Sequence, residues 1–454
     1  MRGVLLGMGS NTGDRIGNLT KALNELIRRG LIYGPIRTSR LYRSDALLLE
    51  NSPKEWNLDF INGVVEARTA LSPDALLHGI HAIEKHMGRG EHEKWSPRSI
   101  DIDLLYMDDT VLESEALTIP HLHIFKRAFV LYPLADLLPN EKPMGHKLTF
   151  REEADALKDD LHTQAIDAAF LPTQVVGILN ITPDSFSDGD RYADPRQALE
   201  QVKKLVANGA GIIDLGAEST RPGAESITAQ EEWNRLTPVL QMILPWLQDN
   251  TPWIKVSVDT RNASVAAKCL EMGTHIINDV TGLDDPEMRE LAMKSQAPFI
   301  FMHHMGVPVV KGKNLPSHCD PVDEIKKWAL NKIQQFQSLN LPLDKAILDP
   351  GIGFGKSPTQ SIQVLRRFQE LNDLGLPIYL GFSRKSMFNL ITEKPFSERD
   401  LESNTLAAAT AQSTPDYLRV HDVDGCVRTL KASLLMHAAP CIQYGNQREV
   451  KSGS

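Results

Sequence analysis

From residue 174 to 421 one rhythm of apolar and polar positions recurs. A short β-rich apolar run is followed by a polar or glycine turn, then by a stretch with helical spacing. The runs are QVVGILN, GIIDLG, WIKVSVD, HIINDV, PFIFMH, KAILDP, PIYLGFS and YLRVHD. Eight strands alternating with helices over about 250 residues predict an α/β TIM-type (β/α)8 barrel. An open doubly wound sheet is the structural rival. Each run closes on groups that can bind or ionise: Asn180, Asp214, Asp259, Asn278, His303, Asp349, Ser383 with Lys385, and Arg419 with His421. Strand ends at a surface are often polar, but the opposite ends of these runs lack the pattern. A barrel gathers all eight carboxyl ends on the face where active sites are built, which favours it over the open sheet.

The first 160 residues follow another pattern. Strand-like GVLLGMGS, IRTSRLYRS, FINGVVEART and IDIDLLYM mix with helical GNLTKALNELIRR and PDALLHGIHAIEKHM. Long strands with few helices predict an α+β (ferredoxin-like) sandwich with antiparallel pairing. The stretch from Phe150 to Phe170 has helical spacing without Pro or Gly, and Pro172 ends it. The expected division is therefore a domain over 1–160, a linker over 161–173 and a barrel domain over 174–445.

In KWSPRSIDIDLLYM the side chains alternate across a strand, so Ile100, Ile102 and Leu104 face one way while Asp101 and Asp103 face the other. Two carboxylates ~6.5 Å apart along a strand suit a pair of Mg2+ ions lying ~3.5–4 Å apart, as in phosphoryl-transfer sites. An acidic strand edge facing solvent has the same spacing. The basic company of Arg89, Arg98, His121, Lys126 and Arg127 favours the site, because arginines bind phosphate oxygens where carboxylates hold metal. Trp95, Phe60 and Phe129 can offer flat faces to a heterocycle, or serve as core.

Composition narrows the field. The 454 residues are 42% hydrophobic and 24% charged, with a net charge of −9, an ordinary globular balance that argues against a nucleic-acid or membrane-surface role. Cys269, Cys319, Cys426 and Cys441 are scattered without metal spacing and read as thiols in a reducing compartment. With no membrane-length apolar run and no targeting segment at the start, a cytoplasmic location is expected. LDPGIGFGKS, residues 348–357, is a near miss for a nucleotide loop: the position that should open the motif is Pro350, which lacks an N–H.

Together these segments carry a resemblance. GSN at 9–11, YRS at 42–44, Gly88-Arg89, WSPRSIDIDLL at 95–105 and IPH at 119–121 resemble 6-hydroxymethyl-7,8-dihydropterin pyrophosphokinase. GILNITPDSFSDGD, GAESTRPGA, SVDT, HIINDV, LDPGIGFGK, SRKS and RVHDV resemble dihydropteroate synthase over residues 174–440. The resemblance implies a bifunctional folate-pathway transferase. Its first half would move a pyrophosphoryl group from ATP, a co-substrate, to the pterin hydroxymethyl oxygen and release AMP. Its second would condense the pterin pyrophosphate with p-aminobenzoate to dihydropteroate, in a pocket that sulfonamide drugs imitate.

The same resemblance implies residue roles. Asp101 and Asp103 would hold Mg2+, with Arg89, Arg98, His121 and Arg127 on the phosphates. Phe60 and Phe129 would sandwich the pterin beside Asn62, Trp95 would ride a closing loop, and Glu84 would contact the nucleotide. In the barrel, Asp259, Asn278, Asp349 and Lys385 would line the pterin slot. Asn180 would meet Mg2+ on the pyrophosphate, with Thr220, Arg419 and His421 as anion contacts. Phe186, Pro222, Phe354 and Ser386 would shape the p-aminobenzoate pocket. Loops at 184–192 and 221–226, the latter starting at Arg221, would act as lids. Small-molecule substrates and a homodimer through the barrel are the implied partners. The chain departs from the kinase pattern at Ser44-Asp45-Ala46 and at Glu91-His92. Two rival readings stand beside this one: the pterin-binding barrel of a corrinoid-type methyltransferase, and a chain whose kinase half binds pterin without turnover.

Overall fold

A computed structural model describes residues 2–49, 51–88, 96–108, 110–143, 146–181, 194–218, 226–310, 312–411 and 413–436. The first sheet holds β1 (Arg2–Ser10), β2 (Tyr33–Thr38), β3 (Leu41–Ser44), β4 (Phe60–Thr69), β5 (Asp101–Met107) and, far along the chain, β8 (Gln164–Ile166). Its order is β5-β1-β4-β3-β8, with β2 also on β4, and every pairing is antiparallel. A small hairpin, β6 (Leu112–Glu113) and β7 (Thr118–Ile119), stands apart. Helices cover both faces. Val4, Leu6 and Met8 of β1 pack towards α1 (Arg15–Arg28) and α2 (Pro73–His86), while Leu5 joins Val64 and Leu105 against α3 (Ala128–Leu137) and α4 (Phe150–Ala156). Alternate residues of one strand thus feed two cores, the period-2 geometry of a strand buried on both sides.

Two sequence expectations change here. The run at 36–44 is broken at Ser39, whose backbone N–H donates to the Val64 carbonyl while its hydroxyl accepts from Val64 N, so two short strands replace one. The helical pattern after Phe150 stops at Ala156. Asp159 accepts the N–H groups of Leu161 and Thr163 at 3.1 and 2.6 Å, a side-chain turn that competes with the helix. The chain is then free to pair as β8, so residues expected in the linker form an edge of the first sheet.

The second sheet holds β9 (Gln174–Asn180), β10 (Ile212–Gly216), β11 (Lys255–Asp259), β12 (Ile276–Asp279), β13 (Phe299–Met302), β14 (Ala346–Asp349), β15 (Tyr379–Leu380) and β16 (Tyr417–Val420). All pair in parallel in the order β14-β13-β12-β11-β10-β9-β16-β15, and a bridge between Leu348 and Ile378 closes the ring. The eight-strand barrel expected from the rhythm is present. Around it lie α5 (Pro195–Ala207), α6 (Ala229–Asn250), α7 (Ala263–Met272), α8 (Pro286–Ser295), α9 (Pro321–Ser338), α10 (Pro358–Arg367), α11 (Asp400–Ala411) and α12 (Val423–Leu435). Several begin on a side-chain cap, among them Thr228, Asp320 and Asp422, which supplies acceptors for N–H groups left without partners in the first turn.

Inside the barrel Val176, Ile212, Ile276, Ile300, Ile347 and Tyr379 form one apolar layer. Two residues further along three of these strands stand Asp214, Asn278 and Asp349, and Arg419 stands two beyond Tyr417. The period of two stacks a charged layer on the apolar one.

The two halves meet at the other end of the barrel. From α1, Asn24 Nδ2 and an Arg28 guanidinium N–H donate to the Thr414 carbonyl at 3.1 and 2.8 Å. Arg28 also reaches Asp416 at 3.4 Å, and Asp416 accepts from Ile378 N, so this contact lies at the amino ends of the strands.

Candidate active sites

In the first half, register builds the site. Asp101 pairs with Gly9 and Asp103 with Gly7, while the buried Ile102 and Leu104 face the core. The missing side chains of these glycines let others close in: a Cβ on Gly7 would stand 3.3 Å from the Leu105 side chain. On its other side Gly9 pairs with Asn62; a Cβ there would stand 2.9 Å from Asn62 Oδ1 and 3.5 Å from the Phe60 ring. Asn62 donates to Ser44 Oγ at 3.0 Å, which orients its amide. Arg98 is pinned through its backbone, its N–H donating to Asn11 Oδ1 at 2.7 Å, and its guanidinium meets Asp101 at 3.1 Å.

His121 is half-buried at the next strand edge, its N–H donating to the Leu105 carbonyl. Burial, with the nearby Arg127 cation, holds its imidazole below the usual value. Arg127 lies 5.7 Å over the Phe129 ring. The structure thus brings Asp101 together with Arg98, and Phe60 with Asn62, around Gly9. Glu84 has a different place from the one expected. It is buried, and its carboxylate accepts from Ile102 N at 2.9 Å, holding the strand between the two aspartates. Arg89 and Trp95 lie outside the described residues.

In the barrel the polar layer is one connected network. Asp214, wholly buried, accepts from Ser257 Oγ, from Asn278 Nδ2 at 3.2 Å and from Arg419 Nε at 2.6 Å. The other arm of Arg419 reaches Asp259 at 2.8 Å. One guanidinium is thus shared by two carboxylates. Burial raises Asp259, Arg419 opposes this, Asp214 adds to it, and the group is pushed up to about 7. Burial works against the Arg419 charge, but Asp214 and Asp259 outweigh it and hold the cation. Sequence reasoning grouped Arg419 with anion contacts; the structure spends its donors on two carboxylates deep in the slot.

Asp349 accepts from Gly351 N at 2.7 Å, and burial raises its carboxyl above the usual range. Lys385 donates to the Ile352 carbonyl at 2.6 Å and lies 4.7 Å over the Phe354 ring. Burial brings its amine down to about 8, against the pull of Asp349. Gly353 makes this approach feasible, since a Cβ there would stand 3.3 Å from Lys385 Cδ. His421 shares a hydrogen bond with Ser383 Oγ at 3.0 Å, which ties the last two strand ends together. Asn180 is half-buried at the end of β9, and Ser386 is exposed at the rim. Phe186, Thr220, Arg221 and Pro222 lie outside the described residues.

Sequence reasoning gave Ser257 and Lys356 no role. Ser257 could have been found from alternation, standing two residues before Asp259 on one strand. Lys356 was read only as the tail of the false nucleotide loop.

A buried layer of hydrogen-bonded charges at the carboxyl ends of a barrel, joined to a half that pairs a strand carboxylate with arginine, is the architecture of a two-site transferase. Residues 176–421 match the pterin binding enzyme family, and residues 5–139 match 7,8-dihydro-6-hydroxymethylpterin-pyrophosphokinase. The chain is 34% identical over 95% of its length to a folate synthesis bifunctional protein of Chlamydia caviae, covering 97% of that protein. Over 58% of its length it is similar to dihydropteroate synthase from Anaplasma phagocytophilum with bound 6-hydroxymethylpterin-monophosphate, at 38% identity, 99% of that chain and a TM-score of 0.53. Over 60% it is similar to Xanthomonas albilineans dihydropteroate synthase with 4-aminobenzoic acid, at 31% identity, 93% of that chain and a TM-score of 0.52. The chain belongs to the bifunctional folate-synthesis family, joining a hydroxymethyldihydropterin pyrophosphokinase to a dihydropteroate synthase.

Proposed function

We propose that the Asp101–Asp103 strand with the Gly9, Asn62 and Phe60 surroundings is the pyrophosphokinase site and the polar layer of the barrel the pterin slot of the synthase. In the first reaction the pterin hydroxymethyl oxygen attacks the β-phosphorus of ATP and its proton passes to solvent, the bond from that phosphorus to the α-phosphate oxygen breaks, and AMP leaves. Asp101 and Asp103 fit Mg2+, a hard cation that takes one or two carboxylates and completes its shell with phosphates and water. When bound, the metal would neutralise phosphate charge. Arg98, His121 and Arg127 bind phosphate oxygens, and Phe60, Phe129 and Asn62 hold the ring and its edge. Glu84 keeps the aspartate strand in register.

In the second reaction the amine nitrogen of p-aminobenzoate attacks the pterin methylene carbon. A C–N bond forms, the C–O bond to pyrophosphate breaks, and the amine proton passes to solvent. Asp349 and Asn278 meet the donors and acceptors of the pterin edge. Asp259, ionised, favours positive charge on the ring as pyrophosphate departs. Lys385 lies against Phe354, between the pterin slot and the p-aminobenzoate pocket. Asn180 and His421, at neighbouring strand ends, receive the pyrophosphate.

The observation that carries this reading is the convergence of Asp214, Asp259, Asn278 and Arg419 from four strands into one hydrogen-bonded layer. A homodimer through the barrel fits the exposed apolar Leu390, Ile391, Phe396 and Leu401. Among the described residues no helix is long and apolar enough to cross a membrane, and buried thiols at Cys269 and Cys426 suit a reducing cytoplasm. The test supplies the purified chain with hydroxymethyldihydropterin, ATP, Mg2+ and p-aminobenzoate. Dihydropteroate and AMP in equal amounts are expected; AMP without dihydropteroate would remove the barrel assignment, and neither product would remove both.

A further inference from the structure

The lysine that made residues 351–357 look like a nucleotide loop is fully engaged inside the protein. Lys356 is buried, with Nζ 2.8 Å from His303 Nδ1, 2.9 Å from the Gly351 carbonyl and 3.2 Å from the Phe354 carbonyl. Burial, with Lys356 beside it, pushes the His303 imidazole down to about 2, and burial brings the Lys356 amine down to about 7, so the ring is neutral and shares a hydrogen bond with the lysine through Nδ1. Trp328 meets the same imidazole edge-on at 5.1 Å and fixes its plane.

The turn that Lys356 holds cannot hold itself. Gly351, Gly353 and Gly355 all have left-handed φ, of +66°, +81° and +71°, the conformation glycine adopts most freely. These reversals send successive carbonyls in different directions. Lys356 takes those of Gly351 and Phe354 from the interior, and Lys385 takes that of Ile352 from the slot side. A Cβ on Gly351 would collide with the His303 carbonyl, so the turn after β14 and the end of β13 are packed as one piece.

We propose that Lys356, paired with His303, is a positioning residue for the synthase reaction: it sets this turn so that Phe354 lies under Lys385 and walls the p-aminobenzoate pocket. The proposal rests on placing that pocket at Phe354 and Lys385. Lys356 touches neither substrate. It acts through two carbonyls and a ring, so its loss moves the pocket wall most, reaches the pterin slot only through the Gly351 N–H on Asp349, and leaves Asn278 and Asp259 in place.

The test is steady-state kinetics of the full chain in two substrates, with the kinase rate as an internal measure of an intact first half. For Lys356→Met and His303→Leu, the KM for p-aminobenzoate is expected to rise about 10–100-fold, the scale set by displacing a positioned group by about 1 Å. The kinase rate stays unchanged, and the KM for pterin pyrophosphate, touched only through Asp349 and Gly351, rises by less than that for p-aminobenzoate. His303→Gln, which keeps an acceptor, restores most of the loss. An unchanged KM for p-aminobenzoate in both variants, or equal rises for both substrates, would overturn the proposal. Should Lys356→Met fail to fold, the contrast between His303→Leu and His303→Gln decides alone. A wild-type chain that makes no dihydropteroate would instead sink the pocket assignment itself.

Discussion

The two halves handle the same chemical group in opposite ways. On β5, Asp101 keeps 29% of its side chain exposed and pairs with Arg98, whereas Asp214 in the barrel has no exposure and takes hydrogen bonds from three strands. A metal–phosphate site needs carboxylates that stay ionised and can exchange water for metal, so partial exposure serves it. A slot for an uncharged heterocycle needs donors and acceptors fixed before the ligand arrives, and low dielectric makes each of them count for more. In the barrel, burial accordingly raises the carboxyls of Asp259 and Asp349.

Separating the halves by mutation gives the largest expected effect. Asp101→Ala should lower AMP formation by ~10³-fold or more, the scale of a lost metal ligand, while the barrel still condenses presynthesised pterin pyrophosphate at the wild-type rate. Equal loss of both activities would mean that the two sites are not independent. Next in size, Lys385→Ala should cut p-aminobenzoate incorporation by about 10²–10³-fold, as for removal of one placed electrostatic group, and leave AMP release untouched. An unaltered rate would contradict its place beside Phe354.

A pH profile sharpens the contrast further. The Asp259 carboxyl is held up to about 7 and the Lys385 amine is brought down to about 8. Synthase kcat/KM should therefore fall about tenfold per pH unit below 7, where Asp259 is protonated, and decline again above 8, where Lys385 is neutral. Asp259→Asn should abolish the acid limb along with most of the rate. The stability effect has the opposite sign. The folded barrel keeps a proton that the unfolded chain releases at the usual carboxylate value, so this group lowers stability as pH rises from there to about 7. Thermal unfolding across that range measures it.

The smallest effect is expected where the halves touch. Arg28→Ala removes hydrogen bonds to the Thr414 carbonyl and the contact with Asp416, and should cost about 1 kcal/mol in chemical unfolding with neither activity changed. A change in synthase kinetics would show that the contact at the amino ends of the strands reaches the opposite face.

Much of this was legible in the chain because it depends on local period. Eight apolar runs ending on polar groups and alternating with helices fit a closed parallel barrel, and the Asp-Ile-Asp alternation set which side chains left the core. The misreadings have non-local causes. Helical spacing after Phe150 gave way to the Asp159 turn and a strand pairing with β3, because a partner strand remote in sequence outweighs weak propensity. Glu84 offered no signal of burial, since the N–H it binds belongs to a strand 18 residues away. Lys356 carried a misleading one.

The order of residues along the chain by itself determined the strands, their polar ends and the two families of chemistry, because alternation and turn composition act over a few residues. Only the tertiary structure decided which charges share a counterion: Arg419 between Asp214 and Asp259, Lys356 against His303. Coulomb and hydrogen-bond partners are chosen by distance in space, and barrel closure brings Arg419 onto Asp214, 205 residues away in sequence.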